Sequence, residues 1–326
     1  MKKKLIVLII FTNLISSYSQ NSVLNGTWIL DKTVYEDGKS LEINHPLYST
    51  YTEYEFLANS IKINEHKFNA KYIQNSIKLD FRELLFSFKN NKLLIQEKGD
   101  NKIQIFSKKE DFLEKYPEYK TEIEIRDQDT VYIANNIFRP KFNNELTFDD
   151  YLRKNISSYS SACAKNNLFK SKFIVTKEGK IKDIIIINGI SKLFDNEFTN
   201  ALKNSETFFI NETGKDFAIE HNFNFIQMFK GLTEQTEKEF YSIQKKAKKY
   251  FEKNDFEKAI IEYEKLNDLE LNSVKERLGF IYNESFINLG ISYLAMNKNE
   301  EACKSFLKVG DKKNFNVRNF IFNFCE

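Results

Sequence analysis

The sequence predicts a multidomain α+β chain with an antiparallel β-barrel first, a mixed α+β domain second and an all-α domain of helical hairpins last. Three observations predict this order. Up to about residue 115, short stretches alternate apolar and polar residues, which is the period of half-buried strands. Between about residues 130 and 229, strand-like and helix-like segments alternate. From Glu234 onward the period is helical, and one pattern occurs twice.

The first residues have the pattern of a secretory signal peptide. Three lysines at positions 2–4 precede the apolar run Leu5 to Phe11, and small polar residues lead to Ser19. This run is shorter than the roughly twenty apolar residues that cross a bilayer. We therefore expect residues 1–19 to be a signal peptide cleaved after Ser19, and the mature protein to lie in the periplasm without a transmembrane span. Secretion and an uncleaved inner-membrane anchor are the open alternatives.

Composition indicates folded domains and no nucleic-acid partner. Hydrophobic residues make up 41% of the 326 residues, which is enough apolar surface for several cores. The 49 basic and 46 acidic residues are interspersed, so the net charge of +3 forms no basic patch of the kind that binds a phosphate backbone.

The first predicted domain, residues 20–115, contains about eight strands spaced some ten residues apart. The predicted strands are Gly26 to Lys32, Ser49 to Leu57, Ser60 to Ile63, Lys67 to Gln74, Ser76 to Leu79, Glu83 to Lys89, Lys92 to Glu97 and Lys102 to Ser107. Turn residues separate them at Asp37-Gly38, Asn90-Asn91 and Gly99-Asp100. Because unpaired strand edges favour aggregation, this many antiparallel strands should close into a barrel or pack as two sheets.

The start of this domain carries a family resemblance. The segment Leu24-Asn-Gly-Thr-Trp28 resembles the G-x-W opening of lipocalin-like barrels, in which the Trp plugs the closed end. The resemblance implies that Trp28 is the barrel plug and that the interior binds a small apolar ligand. The alternative is a barrel filled by its own side chains, as small barrels often are.

The central domain, residues 130–229, has a second set of motifs. An aromatic segment, Phe138 to Phe142, leads into a predicted helix from Phe148 to Ile156 with Thr147 as its N-cap. A hairpin turning at Glu178-Gly179 follows. The next predicted helix has the apolar positions 194, 198, 201 and 202 on one face, and the last strand alternates from Ile219 to Phe225.

The order and spacing of these segments resemble the C-terminal domain of TonB proteins. The resemblance implies an α+β fold with an open sheet edge that can accept a strand from another envelope protein. In the energy transducers this domain ends a long Pro-rich arm, whereas the whole chain contains only 3 Pro. We therefore expect a TonB-like interaction module rather than a working energy transducer. A sheet that packs only on a neighbouring domain is the alternative.

The last domain, residues 234–326, repeats itself at an offset of 43 residues. The superposed pairs are Ala247 and Gly290, Tyr250 and Tyr293, Ala259 and Ala302, and Tyr263 and Phe306. This pattern resembles the tetratricopeptide repeat, whose usual length of about 34 residues implies an insertion here, from Leu271 to Gly279. We expect two hairpins turning at Asn254-Asp255 and Asn297 to Asn299, with a capping helix from Lys312 to Phe324. An irregular helical bundle without a binding groove is the alternative.

The predicted export bears on the state of the three cysteines. In an oxidising space, an odd count of 3 leaves at least one cysteine outside an intramolecular disulfide. The chain end from Cys303 to Cys325 resembles the ends of other exported bacterial repeat proteins. We predict a disulfide between these two residues, with Cys163 as a thiol outside it. The pairing requires the chain beyond Phe320 to turn back toward Cys303.

Catalytic motifs are missing from the sequence. It contains no G-x-S-x-G, H-E-x-x-H, G-x-x-x-x-G-K-[ST] or C-x-x-C motif. The three histidines, His45, His66 and His221, are far apart along the chain. We therefore expect no catalytic residue, no cofactor and no metal site.

Two function classes follow from these expectations. The first is a non-enzymatic periplasmic adaptor that binds a protein partner in the cell envelope through the TonB-like sheet edge and the helical repeats. The second is a carrier that holds a small apolar ligand in the barrel, with the other domains directing delivery. A polypeptide that co-purifies with the protein favours the adaptor, and a small molecule favours the carrier.

Overall fold

The computed structural model describes residues 23–126, 129–226, 232 and 234–326. The chain divides into two compact units, one ending at Tyr116 and the other beginning at Pro117. The first unit ends one residue after the predicted end of the barrel domain at residue 115. The domains predicted over residues 130–229 and 234–326 both lie within the second unit. The predicted signal peptide, residues 1–19, lies outside the described residues.

The first unit is a nearly closed, antiparallel, barrel-like sheet. Its strands within the described residues are Gly26–Tyr35 (β1), Glu53–Phe56 (β2), Ser60–Ile63 (β3), His66–Asn69 (β4), Lys71–Ile73 (β5), Ser76–Lys78 (β6), Glu83–Lys89 (β7), Lys92–Glu97 (β8) and Lys102–Lys108 (β9). The hydrogen-bonded order is β4-β3-β2-β1-β9-β8-β7-β6-β5, so β4 and β5 form the two edges of the sheet. The Tyr72 hydroxyl on the edge strand β5 donates to the Ser60 carbonyl on β3, the neighbour of the other edge strand, over 2.9 Å. The predicted N-terminal antiparallel barrel is therefore confirmed.

Some predicted strands are wrong in extent. β2 covers only Glu53–Phe56 of the predicted Ser49 to Leu57, and β1 extends beyond the predicted Lys32 to Tyr35. The segment predicted as a single strand from Lys67 to Gln74 is divided into β4 and β5 at Ala70, whose amide donates to the Asn59 carbonyl instead of to a ladder partner. The sequence pattern does not reveal the break because both pieces keep a period of two residues. After β9 the chain forms helix Lys109–Lys115 (α1), which contacts β1 and β9 and buries Phe112 and Leu113.

Asparagines form the tight turn between β7 and β8. Lys89 pairs with Lys92, and the two residues between them, Asn90 and Asn91, have φ angles of 51° and 58°. Asparagine tolerates this left-handed conformation, and a two-residue turn of this kind matches the twist of the flanking strands. The predicted turn at this position is confirmed.

The second unit contains a five-stranded sheet and a separate two-stranded one within the described residues. The strands are Ile123–Arg126 (β10), Asp129–Ile133 (β11), Lys141–Phe142 (β12), Leu168–Val175 (β13), Ile181–Asn188 (β14), Phe209–Ile210 (β15) and Phe217–Asn224 (β16). The larger sheet has the order β10-β11-β16-β13-β14, and β12 pairs with β15. In the larger sheet β11 and β16 run parallel, and the other neighbours are antiparallel. The sheet thus begins at Ile123, ahead of the predicted domain start at residue 130.

Helices cover one face of this sheet. They are Phe148–Asn155 (α2), Tyr159–Cys163 (α3) and Lys192–Asn204 (α4). Helix α2 begins as predicted, because the Thr147 hydroxyl accepts a hydrogen bond from the Asp150 amide over 3.1 Å. Helix α4 buries Phe194, Phe198, Ala201 and Leu202, the apolar face that its spacing predicts. These side chains pack against the odd-numbered residues of β13 and β16, such as Phe169 and Phe223.

The described residues from 234 onward form helices and the turns between them. The helices are Gln235–Phe251 (α5), Phe256–Glu264 (α6), Asn272–Arg277 (α7), Gly279–Ala295 (α8), Asn299–Val309 (α9) and Arg318–Phe324 (α10). Helices α5 and α6 pack as one hairpin, and α8 and α9 pack as another. The predicted turns lie at Asn254 and Asn297, whose φ angles of 57° and 58° reverse the chain. In the described ranges, no helix has both the length and the apolarity needed to cross a bilayer.

The predicted capping helix is shorter than expected. The sequence predicts a helix from Lys312 to Phe324, but helix α10 begins only at Arg318. Before it, the side chains of Asp311 and Asn314 accept hydrogen bonds from the amides of Lys313 and Asn316. Such side-chain bonds two residues ahead stabilise turns in place of a helix.

Candidate functional site

The residue predicted to plug the barrel, Trp28, is buried. Its side chain is 2% exposed, and its indole nitrogen donates to the carbonyl of Leu24 over 2.9 Å. Its ring lies 5.9 Å from that of Phe88. Because Leu24 directly precedes β1, this hydrogen bond holds the indole beside the point where the chain enters the barrel. That Trp28 acts as a plug stays a prediction.

The interior of the barrel is occupied by its own side chains. They include Trp28, Leu30, Tyr54, Phe56, Ile61, Ile77, Leu84, Phe86, Leu93, Ile95 and Phe106, each 7% exposed or less. Ile63, Phe68, Ala70 and Tyr72 pack against this group. The packing supports the filled barrel over the ligand-holding one.

The residues of the repeat pattern are mostly buried within the two hairpins. Ala247, Ala259, Tyr263, Ala302 and Phe306 are fully buried, Tyr293 is 6% exposed, and Tyr250 is half-buried. The two helices of the second hairpin approach closely at Gly290 on α8, where an added Cβ would lie 2.4 Å from the ring of Phe306 on α9. Only a residue without a side chain allows the two helices to come this close.

The insertion between the two hairpins joins them to the central sheet. It contains helix α7, and the carbonyl of Arg277 accepts a hydrogen bond from the Asn224 side chain on β16 over 2.9 Å. The Arg277 guanidinium donates to the fully buried Glu237 on α5 over 2.6 Å. Glu276 also lies 3.7 Å from Lys170 on β13. The insertion thus contacts both the central sheet and helix α5 of the first hairpin.

The predicted disulfide is present at the end of the chain. Cys303 on α9 and Cys325 after α10 are joined, and their Cα atoms are 5.7 Å apart. Helix α10 packs against α9, where the Phe306 and Phe320 rings stack at 4.6 Å, and this packing brings the end of the chain back to Cys303. Cys163, in α3, is not part of the disulfide.

The central sheet has two outer strands within the described residues, β10 and β14, and β14, with eight residues, is the longer of the two. β14 pairs with β13, and among the described residues no strand pairs with its other side. Ile184 and Ile186 pack toward the helices, whereas Ile185 and Ile187 are 48% and 52% exposed. An extended partner would find unpaired main-chain groups and two apolar side chains here.

Two features keep this edge from being a flat strand. The pairing of β13 with β14 shifts register twice, and Asp183 has a positive φ of 54°. Lys182 also pairs with Asp216 over 3.4 Å. Irregular, charged edges of this kind oppose uncontrolled sheet-to-sheet association. The edge is therefore suited to a specific strand more than to self-stacking.

The histidines are separated in the fold as they are in the sequence. His45 accepts a hydrogen bond from the Leu47 amide, and His66 is exposed on β4. His221 is buried on β16 among aromatic rings, 3.6 Å from Asp149, and its Nε2 has no hydrogen-bond partner within the described residues. Burial, with a smaller effect of Arg153, lowers the pKa of His221 to about 4, and burial raises the pKa of Asp149. In the described ranges, no three His, Cys, Asp or Glu side chains are grouped to hold a metal ion.

Sequence reasoning missed one polar cluster in the barrel wall. The Asp31 carboxylate accepts hydrogen bonds from Lys92 Nζ, over 2.9 Å, and from the hydroxyl of the fully buried Ser107. Asp31 lies at the irregularity between Leu30 and Lys32 in the pairing of β1 with β9. These hydrogen bonds join the bulge on β1 to β8 and β9. No sequence signal joins residues this far apart in the chain.

Comparison with models of known protein families, with curated proteins and with solved structures finds no match to this chain.

Proposed function

We propose that this protein is a non-enzymatic adaptor of the cell envelope whose central sheet accepts an extended segment of a partner protein along the outer edge of β14. The observation that carries the proposal is that edge itself, eight residues long from Ile181 to Asn188, with two half-exposed isoleucines. Main-chain hydrogen bonds to such an edge provide affinity, and the alternating side chains provide specificity. The resemblance of the central domain to TonB C-terminal domains supports the same mode of binding.

The proposed location is the periplasm. The signal-peptide pattern at the N-terminus supports it, and so does the disulfide between Cys303 and Cys325, since such bonds persist in oxidising compartments. The helical domain also supports an adaptor role, because its two hairpins and the central sheet offer two different binding surfaces in one unit. On this account the protein connects envelope proteins and carries out no chemistry.

Site-specific photo-crosslinking in the cells that make the protein tests this proposal. A photoreactive phenylalanine analogue at Ile187, on the β14 edge, should capture one defined polypeptide. The same analogue at Leu193 is the matched control, because this residue is 62% exposed but lies on α4 rather than on the edge strand. Ile185→Arg in the same chain should abolish the capture at position 187 without lowering the melting temperature. Equal capture at both positions, or capture unaffected by Ile185→Arg, would remove the edge from the proposal.

A further inference from the structure

A groove in the helical region lies between α5 and α8. It has a volume of about 500 Å³ and is lined by Tyr241, Gln244, Lys245, Lys248, Lys249, Glu252, Phe280, Ile281 and Glu284. Along α5 the lining extends from Tyr241 to Glu252, which at 1.5 Å per residue is roughly 16 Å. An extended peptide of about five residues has the same length. The dimensions therefore suit a short chain segment better than a compact small molecule.

The groove has unneutralised positive charge. Lys248 is paired with Glu284 over 2.7 Å, and Gln244 donates to the other oxygen of the same carboxylate over 3.0 Å. Lys245 and Lys249 are exposed one helical turn apart, and in the part of the chain that the structure describes neither has a carboxylate within 4.0 Å. Glu252, at the end of the groove, offsets one of these charges. The remaining excess is positive, so electrostatic complementarity favours an anionic occupant.

The groove also has an exposed apolar lip. Phe280, in the first turn of α8, is 83% exposed, and Ile281 and Tyr241 lie beside it in the lining. Aromatic side chains are enriched among the anchors of binding surfaces, and Phe280 is this exposed although much of α8 is buried. The occupant should therefore combine carboxylates with at least one apolar side chain.

We propose that the α5–α8 groove binds an acidic peptide segment, with carboxylates at Lys245 and Lys249 and an apolar side chain against Phe280. This groove would be a second site of contact with a partner. The inference that its ligand is a protein rests on the proposed adaptor function. The groove uses residues of α5 and α8 alone, so this proposal can fail or succeed independently of the β14 edge.

Selection of random peptides displayed on phage against the full mature protein tests the groove. We expect enrichment of peptides rich in Asp and Glu that also carry an aromatic or branched aliphatic residue. The best of them, labelled with fluorescein, should bind with an affinity that falls as salt is raised. Lys245→Glu with Lys249→Glu should weaken that binding by at least tenfold, and Phe280→Ala by several-fold.

Two controls make the result specific. Lys203→Glu with Lys304→Glu changes the same total charge at exposed lysines on α4 and α9 and should leave the affinity unchanged. Ile187→Arg, on the β14 edge, should also leave it unchanged, which separates this site from the proposed edge. Selected peptides without acidic enrichment, or equal binding to the Lys245/Lys249 variant, would overturn the proposal. Lysine-dependent sedimentation with vesicles of equimolar phosphatidylglycerol and phosphatidylcholine, without any selected acidic peptide, would overturn it in favour of a membrane surface.

Discussion

The barrel and the central sheet use the same kind of strand in opposite ways. In the barrel, nearly every strand within the described residues has two neighbours. Large side chains such as Leu93 and Phe106 point inward and are fully buried. In the central sheet, β14 has one neighbour and leaves Ile185 and Ile187 half-exposed. Nearly complete pairing and burial stabilise the barrel, whereas the unpaired edge of β14 remains available to bind a partner.

Trp28→Ala should have the largest effect, because it removes the largest side chain of the filled barrel. We expect a loss of about 3–5 kcal/mol in the free energy of opening, measured by amide hydrogen exchange in β1 and β9. Phe81→Ala is the control, since that ring is 60% exposed. If the two variants lost similar stability, or if iodide readily quenched Trp28 fluorescence in the folded protein, the barrel would not be filled as described.

Removing the disulfide should come next. With Cys303→Ser and Cys325→Ser, the helical region should lose roughly 3 kcal/mol, since the bond restricts the unfolded chain. Cys163→Ser is the matched control outside the bond. Denaturation of both proteins with and without reductant provides the measurement, and reductant should lower the stability of the control to that of the double variant. If reductant did not change the stability of the Cys163→Ser protein, the disulfide would not form.

Acid should destabilise the central sheet through His221. Its pKa in the folded protein, about 4, is below the ordinary value of 6.5, so the unfolded chain binds a proton first as the pH falls. Stability should therefore be complete above about pH 6.5 and decrease between there and about pH 4, by roughly 2 kcal/mol from pH 7 to pH 5. His221→Phe keeps the packing among the aromatic rings and removes the titration, so its denaturation midpoint should lose this part of the pH dependence. The same slope in both proteins would contradict the assignment to His221.

Gly290→Ala should change the free energy of unfolding less. Whether it lowers or raises stability tests the close crossing of α8 and α9. The new methyl group would press on Phe306 at a cost of about 1–3 kcal/mol, partly offset by about 1 kcal/mol of helix propensity. We expect a net loss of about 1 kcal/mol in thermal denaturation. Gly279→Ala, where no atom lies within 4 Å of the added Cβ, should be neutral or stabilising. Stabilisation by both substitutions would mean that the helices do not cross as closely as described.

Local patterns predicted the elements of this fold better than their arrangement. The Thr147 cap, the buried face of α4 and the asparagine turns follow from neighbouring residues, and all are confirmed. The break at Ala70 and the late start of α10 depend on hydrogen bonds that compete with regular structure, so the sequence pattern missed them.

The arrangement that bears on function depends on contacts between distant residues. The self-alignment located the insertion that contains α7, but the contact of Arg277 with Asn224 links residues 53 positions apart. In the sequence, the groove lysines are two of the four lysines in the run Lys-Lys-Ala-Lys-Lys at positions 245–249. Only the fold shows that Lys245 and Lys249 line a groove beside Phe280 on another helix.

Amide hydrogen exchange of Ile181–Asn188 tests the central claim most directly. The measurement compares the protein alone with the protein bound to the partner that crosslinks at position 187. The account predicts that binding slows exchange at β14 amides on the outer edge, while α4 amides around Leu193 exchange as before. Binding that left β14 exchange unchanged would contradict strand addition at this edge.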